Sequence, residues 1–104
     1  MSSYSLKNKT ALVTGGGGPA MGSSHCIKLA ELGAHVIILD KRHDKAKTVA
    51  KKIIDANGSS EFFTCDITKI HEVNHILEKI SKKSPIDILV NHAGISGMSL
   101  PFEK

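Results

Sequence analysis

Tryptophan is missing from this 104-residue chain, tyrosine occurs once and phenylalanine three times. Few rings means little base stacking. The basic stretch Lys41-Arg42-His43 and the lysines after it have no interleaved aromatics, so they read as a solvated helix face, and no nucleic-acid partner is expected. The excess of 14 basic over 10 acidic residues, net charge +4 and pI near 9.2, is too slight to argue for nucleic acid or an anionic surface. Cysteine is also scarce. Cys26 and Cys65 form no metal-like or redox pairing motif, which fits a reducing compartment, and both occupy positions that read as small core residues rather than nucleophiles. No apolar run approaches a membrane span, and the polar opening MSSYSLKNK has no signal-type apolar region. No membrane is expected, and the expected location is cytoplasmic.

What the chain does have is aliphatic residues, at 40% hydrophobic overall, in a repeating order. Short β-rich runs, TALVT (10–14), HVIILD (35–40), EFFTC (61–65) and DILVN (87–91), alternate with amphipathic helical patterns. That alternation is the signature of βαβ units and a parallel sheet. The first helix is expected from about Ser23 to Leu32, stopped by Gly33. In the second, Ala46, Val49, Ala50, Ile53 and Ile54 form the apolar stripe, and Asn57-Gly58 closes it. The third, roughly Lys69 to Lys82, places Ile70, Val73, Ile76, Leu77 and Ile80 on one face. Right-handed crossovers then predict an α/β fold with three helices on the two faces of a four-stranded sheet of order 3-2-1-4, half of a doubly wound sheet. With no repeat or linker, residues 1–104 are expected to be one domain.

The stretch TGGGGPAMG (14–22) follows the first strand and opens the first helix. A pyrophosphate needs backbone N–H groups at close range and the positive end of a helix, and glycine leaves room for both. Gly15 sits directly after the strand, Gly16, Gly17 and Gly18 can take unusual turns, and Gly22 lies at the helix start. Pro19 offers no N–H, so Gly18, Ala20 and Met21 are the candidate donors. The alternative is a tight turn that binds nothing. At the end of the second strand, Asp40 is placed to accept hydrogen bonds from an adenosine ribose, which favours NAD. Lys41 and Arg42 beside it are suited to a 2′-phosphate, which keeps NADP as the alternative. Asp40 as a mere strand-to-turn residue also stays open.

With TALVTGGGGPAMG, VIILD, CDIT and LVNHAG in this order, residues 6–104 resemble the short-chain dehydrogenase/reductase family. The resemblance implies a Rossmann dinucleotide-binding domain. The family's Thr-Gly-x-x-x-Gly-x-Gly loop falls on Thr14, Gly15 and Gly22, with Ala20 in place of the middle glycine and one extra residue. It further implies that Asp66 bonds the adenine amino group and that Ile67 lines the adenine pocket. Asp66 also reads as a cap of the following helix, and the two roles can coexist. Asn91, Ala93 and Gly94 match the family's Asn-Asn-Ala-Gly, with His92 replacing the second asparagine, next to the ribose and nicotinamide.

Members of the family move hydride between a nicotinamide ring and an alcohol or carbonyl, and move the proton through tyrosine, lysine and serine placed after that motif. Here the single tyrosine is Tyr4, followed four places on by Asn8. No catalytic residue is therefore assigned. Residues 1–104 are expected to be the cofactor-binding part of an oxidoreductase cut short after the fourth strand, inactive by themselves. In the complete protein a small alcohol or carbonyl substrate and a homo-oligomer are expected. The rival reading is a non-catalytic nucleotide-binding or interaction stub. DILVN as an open edge also predicts poor solubility or pairing with another chain. HEVNH (71–75) formally matches a zinc motif, but His71 and His75 lie away from the apolar stripe and no third ligand is evident, so no metal is expected.

Overall fold

The computed structural model describes residues 5–15 and 21–93, residue 21 through its backbone alone. Strands and helices alternate along it: β1 (Thr10–Thr14), α1 (Met21–Glu31), β2 (His35–Asp40), α2 (His43–Asp55), β3 (Ser59–Thr64), α3 (Ile70–Ser81) and β4 (Ile88–Asn91). The strands pair in parallel in the order β3-β2-β1-β4, as the sequence predicts. Thr10 lies opposite His35 and Thr14 opposite both Leu39 and Asn91, so the strand ends form a common edge.

Side chains of successive strand residues point to opposite faces. Ala11, Val13, Val36 and Ile38 meet Cys26 of α1 and Ala46, Val49, Ala50 and Ile53 of α2 in one core. Leu12, Ile37 and Leu39 meet Val73, Leu77 and Ile80 of α3, with Cys65 and Ile86, in the other. A sheet covered on both faces has no polar side, which is why β1 and β2 read as unbroken apolar runs.

Two helices end in the same way. Gly33 has φ +106, its N–H donates to the Ala30 carbonyl at 3.0 Å, and the Ala34 N–H donates to the Leu29 carbonyl at 3.1 Å. Asn57, at φ +68, repeats the arrangement after α2: its N–H donates to Ile54 and the Gly58 N–H donates to Ile53, at 3.0 and 2.8 Å. Both are Schellman closures, and they satisfy carbonyls that a helix end leaves open.

Some boundaries differ from the sequence reading. α1 begins at Met21 rather than Ser23, and β3 runs from Ser59 to Thr64, leaving Cys65 just outside, buried by α3. Asp87 precedes β4; its carboxylate accepts from the Thr10 N–H at 2.8 Å and its own N–H donates to the Thr10 carbonyl at 2.9 Å. Ile54, expected on the buried stripe, is 54% exposed. It lies at the margin of an apolar arc already filled by Ala46, Val49, Ala50 and Ile53, which face β1 to β3.

Candidate functional site

Parallel sheets place their ligand sites beyond the carboxyl ends of the strands, where the strand order reverses. In this sheet the reversal falls between β1 and β4. Thr14, Asp40 and Asn91 are the last residues of β1, β2 and β4, so three of the residues singled out from the sequence share that edge by register. Thr14 is fully buried, and its hydroxyl donates to Asn91 Oδ1 at 2.5 Å, tying β1 to β4.

Gly15 then turns the chain out of the sheet. Its φ is +72, in the left-handed region that disfavours a side chain, and its N–H donates to the Leu39 carbonyl at 2.8 Å. A Cβ there would lie 3.3 Å from the Ala93 nitrogen and 3.4 Å from His92 Cβ. The backbones after β1 and after β4 thus run side by side, held also by the His92 N–H donating to the Thr14 carbonyl at 3.0 Å. α1 starts at Met21, with Gly22 buried in its first turn. A helix start carries the N–H groups and positive dipole end that suit an anion, and α1 touches the segment after β4 through His25. Gly17, Gly18, Ala20 and Gly94 lie outside the described residues.

Asp40 is 1% exposed. A buried carboxylate requires compensation. Arg42 supplies much of it: its backbone N–H and Nε–H both donate to Oδ1, at 2.9 and 3.1 Å, and its Nη2 donates to Oδ2 at 3.0 Å. The carboxylate in turn raises the guanidinium pKa through those hydrogen bonds and its charge. Sequence reading treats Lys41 and Arg42 as a basic pair; the structure separates them, with Arg42 forked onto Asp40 and Lys41 exposed.

The Cys65 N–H donates to the Asp40 carbonyl at 3.0 Å, and the chain then leaves β3 at Asp66. Asp66 Oδ1 accepts from the Thr68 hydroxyl at 2.6 Å and from its backbone N–H at 3.0 Å. Those two bonds are the main reason its carboxyl titrates below the usual range, with Lys69 and Lys41 adding to them. The expected capping role changes accordingly. Residue 69 is the N-cap of α3 and makes no side-chain cap bond, so Asp66 closes the turn before the helix rather than the helix itself. Ile67 packs half-buried against the α3 core. Ala93 is half-buried beside Gly15.

One contact escaped the sequence reading. His25 Nδ1 and His92 Nε2 lie 2.7 Å apart, joining α1 to the segment after β4. The ring planes are within 26° and the centroids 4.8 Å apart, so the rings meet edge to edge in an N–H···N bond. Nothing in sequence links residues 67 positions apart. The only hint is His92 standing where the family has asparagine. His71 and His75 are exposed on α3.

A covered parallel sheet that reverses its strand order beside a glycine turn defines a doubly wound α/β protein of the Rossmann type. More narrowly, the chain belongs to the short-chain dehydrogenase family, whose sequence model matches residues 9–104. It is 37% identical over 100 residues to the polyprenol dehydrogenase of Homo sapiens, covering 93% of this chain and 29% of that protein. Among solved structures, the citronellol catabolism dehydrogenase AtuB of Pseudomonas aeruginosa PAO1 superposes with a TM-score of 0.80 at 30% identity, over 93% of this chain and 44% of that one. A Haemophilus influenza structure solved with bound NAD has a TM-score of 0.76 at 26% identity over 83% of this chain and 31% of its own. An Agrobacterium tumefaciens C58 3-oxoacyl (acyl-carrier-protein) reductase with NADP bound has a TM-score of 0.73 at 29% identity, over 82% and 33%. The chain spans less than half the length of each of these proteins. Among the described residues no helix is long and apolar enough to cross a membrane.

Proposed function

We propose that residues 1–104 form the dinucleotide-binding domain of an NAD(P)-dependent oxidoreductase that acts, as a complete protein, on an alcohol or carbonyl. The observation that carries this reading is the meeting of Gly15, Asp40 and Asn91 at the carboxyl edge of the sheet. The site suits a dinucleotide because Gly15 leaves open the space a Cβ would fill between the two strand-end loops. Thr14, Gly15, Gly17, Gly18, Ala20, Met21 and Gly22 make up the pyrophosphate loop, in which Gly18, Ala20 and Met21 donate backbone N–H groups and α1 its helix dipole. Asp40 accepts from the adenosine ribose hydroxyls in exchange for the bonds it takes from the half-exposed Arg42 guanidinium, which favours NAD; Lys41 flanks it. Asp66 and Ile67 hold the adenine, and Asn91, Ala93 and Gly94 border the nicotinamide ribose. The nicotinamide supplies the hydride chemistry when bound.

Residues 1–104 include only Tyr4 as a tyrosine, so this segment binds cofactor without turning it over. Fluorescence titration with NADH, NADPH and ADP tests the reading. NADH and ADP are expected to saturate. Asp40→Asn removes the carboxylate charge and leaves the Arg42 guanidinium available for a 2′-phosphate, so NADPH gains on NADH by about tenfold. No saturation by any of the three overturns the proposal, and unchanged selectivity in Asp40→Asn overturns the role of Asp40.

A further inference from the structure

At the opposite edge of the sheet, a groove of about 590 Å³ opens between β2, β3 and the C-terminal end of α3. His35 at the start of β2 lines it, whereas Asp40 at the other end of that strand belongs to the cofactor edge. Five residues of parallel strand separate the two by roughly 16 Å. Half-buried Phe63 is the accessible part of its apolar wall, backed by Ile37 and Ile80 at 2% and 3% exposed. The groove exists because β3 is the outer strand, so Phe63 remains half-buried where the neighbouring Ile37 is covered.

The charges around the groove are one-sided. Glu61, its only lining carboxylate, is bonded through Oε2 to His35 Nε2 at 2.7 Å, and three lysines outnumber it. Lys79, Lys82 and Lys83 line it from α3 and the turn beyond, and none of the three has an ion pair among the described residues. Elsewhere Lys51 is matched to Asp55 and Lys69 to Glu72. A lysine in the last turn of a helix is favoured by the helix dipole. Three unpaired lysines beside an apolar surface also offer a cationic clamp to a ligand whose tail can be buried. The volume lies in the range of small-molecule sites, which combine apolar walls with a few charged groups.

We propose that this groove binds an amphiphilic anion, a single hydrocarbon chain with a carboxylate head, the chain against Phe63 and the head between the lysines. The inference stands apart from the cofactor reading, since no residue is shared between the two sites.

Calorimetric titration of the 104-residue chain with decanoate tests it, with decyltrimethylammonium, inorganic phosphate and anionic phosphatidylglycerol vesicles as parallel probes. Saturable binding of decanoate is expected, weakened about tenfold or more in Lys82→Glu/Lys83→Glu, while NADH affinity and the circular dichroism spectrum of that variant stay unchanged. A second variant, Phe63→Ser, is expected to weaken decanoate and to leave the lysines in place. Equal affinity for decanoate and decyltrimethylammonium, equal affinity of wild type and the double variant, or no saturation in the millimolar range overturns the proposal. Phosphate or vesicles binding where decanoate does not would show a general anionic surface and overturn it as well.

Discussion

At residue scale, Gly15 and Cys26 are positions where a small change has a calculable effect. Gly15→Ala puts a side chain into the left-handed region at φ +72 and within 3.3 Å of the Ala93 nitrogen. The left-handed conformation alone costs about 1–2 kcal/mol. Urea denaturation should show a loss of that size, and NADH binding should fall with it; wild-type stability would mean that the turn relaxes. Cys26 is fully buried on the inner face of α1, and burial pushes its thiol from 9.0 up to about 12. Between those values the unfolded chain releases a proton that the folded chain keeps, so stability falls as pH rises. Below pH 9.0 the effect is absent. The penalty of Cys26→Ala should therefore be full near pH 8 and smaller by about 1 kcal/mol near pH 10, measured as the difference in unfolding free energy from wild type. Thr14, Gly15, Asp40 and Asn91 were all legible because strand ends and glycine turns are local signals. Arg42 on Asp40, and His25 on His92, were not, because side-chain pairing depends on rotamers and on elements brought together only by the fold.

At element scale, the helix ends show where sequence signals are sufficient. Gly33 and Asn57 each sit at the left-handed position of a Schellman closure, and both were readable as helix stops. Gly58, next to Asn57, is limited by space rather than by backbone angle: a Cβ there would be 2.7 Å from Ile53 Cγ2 and 3.0 Å from the Ile53 carbonyl. Ile53 is 2% exposed in the α1–α2 core and cannot yield easily. Gly58→Ala should lower stability by about 1–3 kcal/mol, as forced overpacking does. A thermal melt settles it, and an unchanged midpoint would show that the α2–β3 turn absorbs the methyl group. Ile54 was placed on the wrong side because periodicity gives the centre of an apolar stripe better than its margin, and the width of the face is set by what packs on it.

At the scale of the whole molecule, β4 pairs with β1 alone among the described residues, and Ile88, Leu89 and Val90 are half-buried. No strand among the described residues pairs with its other edge, and such an edge is a template for another strand. The isolated 104-residue chain should self-associate in a concentration-dependent way by light scattering; a well-dispersed monomer would contradict this. The sheet order follows from alternation of element types and the handedness of crossovers, both of which are sequence-readable. The groove beside α3 is not. It depends on how far Phe63 and the C-terminal turn of α3 stand apart, and no pattern of residues 35 to 84 announces that distance.

The sequence by itself determined the strands, the helices, their order and the residues brought to the carboxyl edge, because each follows from local periodicity, turn chemistry and one rule of handedness. Beyond the helical pairs Lys51–Asp55 and Lys69–Glu72, the folded structure decided which charges are matched. Asp40 holds the Arg42 guanidinium, and Lys79, Lys82 and Lys83 are left without an ion-pair partner among the described residues. The reason is physical: burial and distance set the strength of a charge interaction, and neither is a property of residues read one at a time.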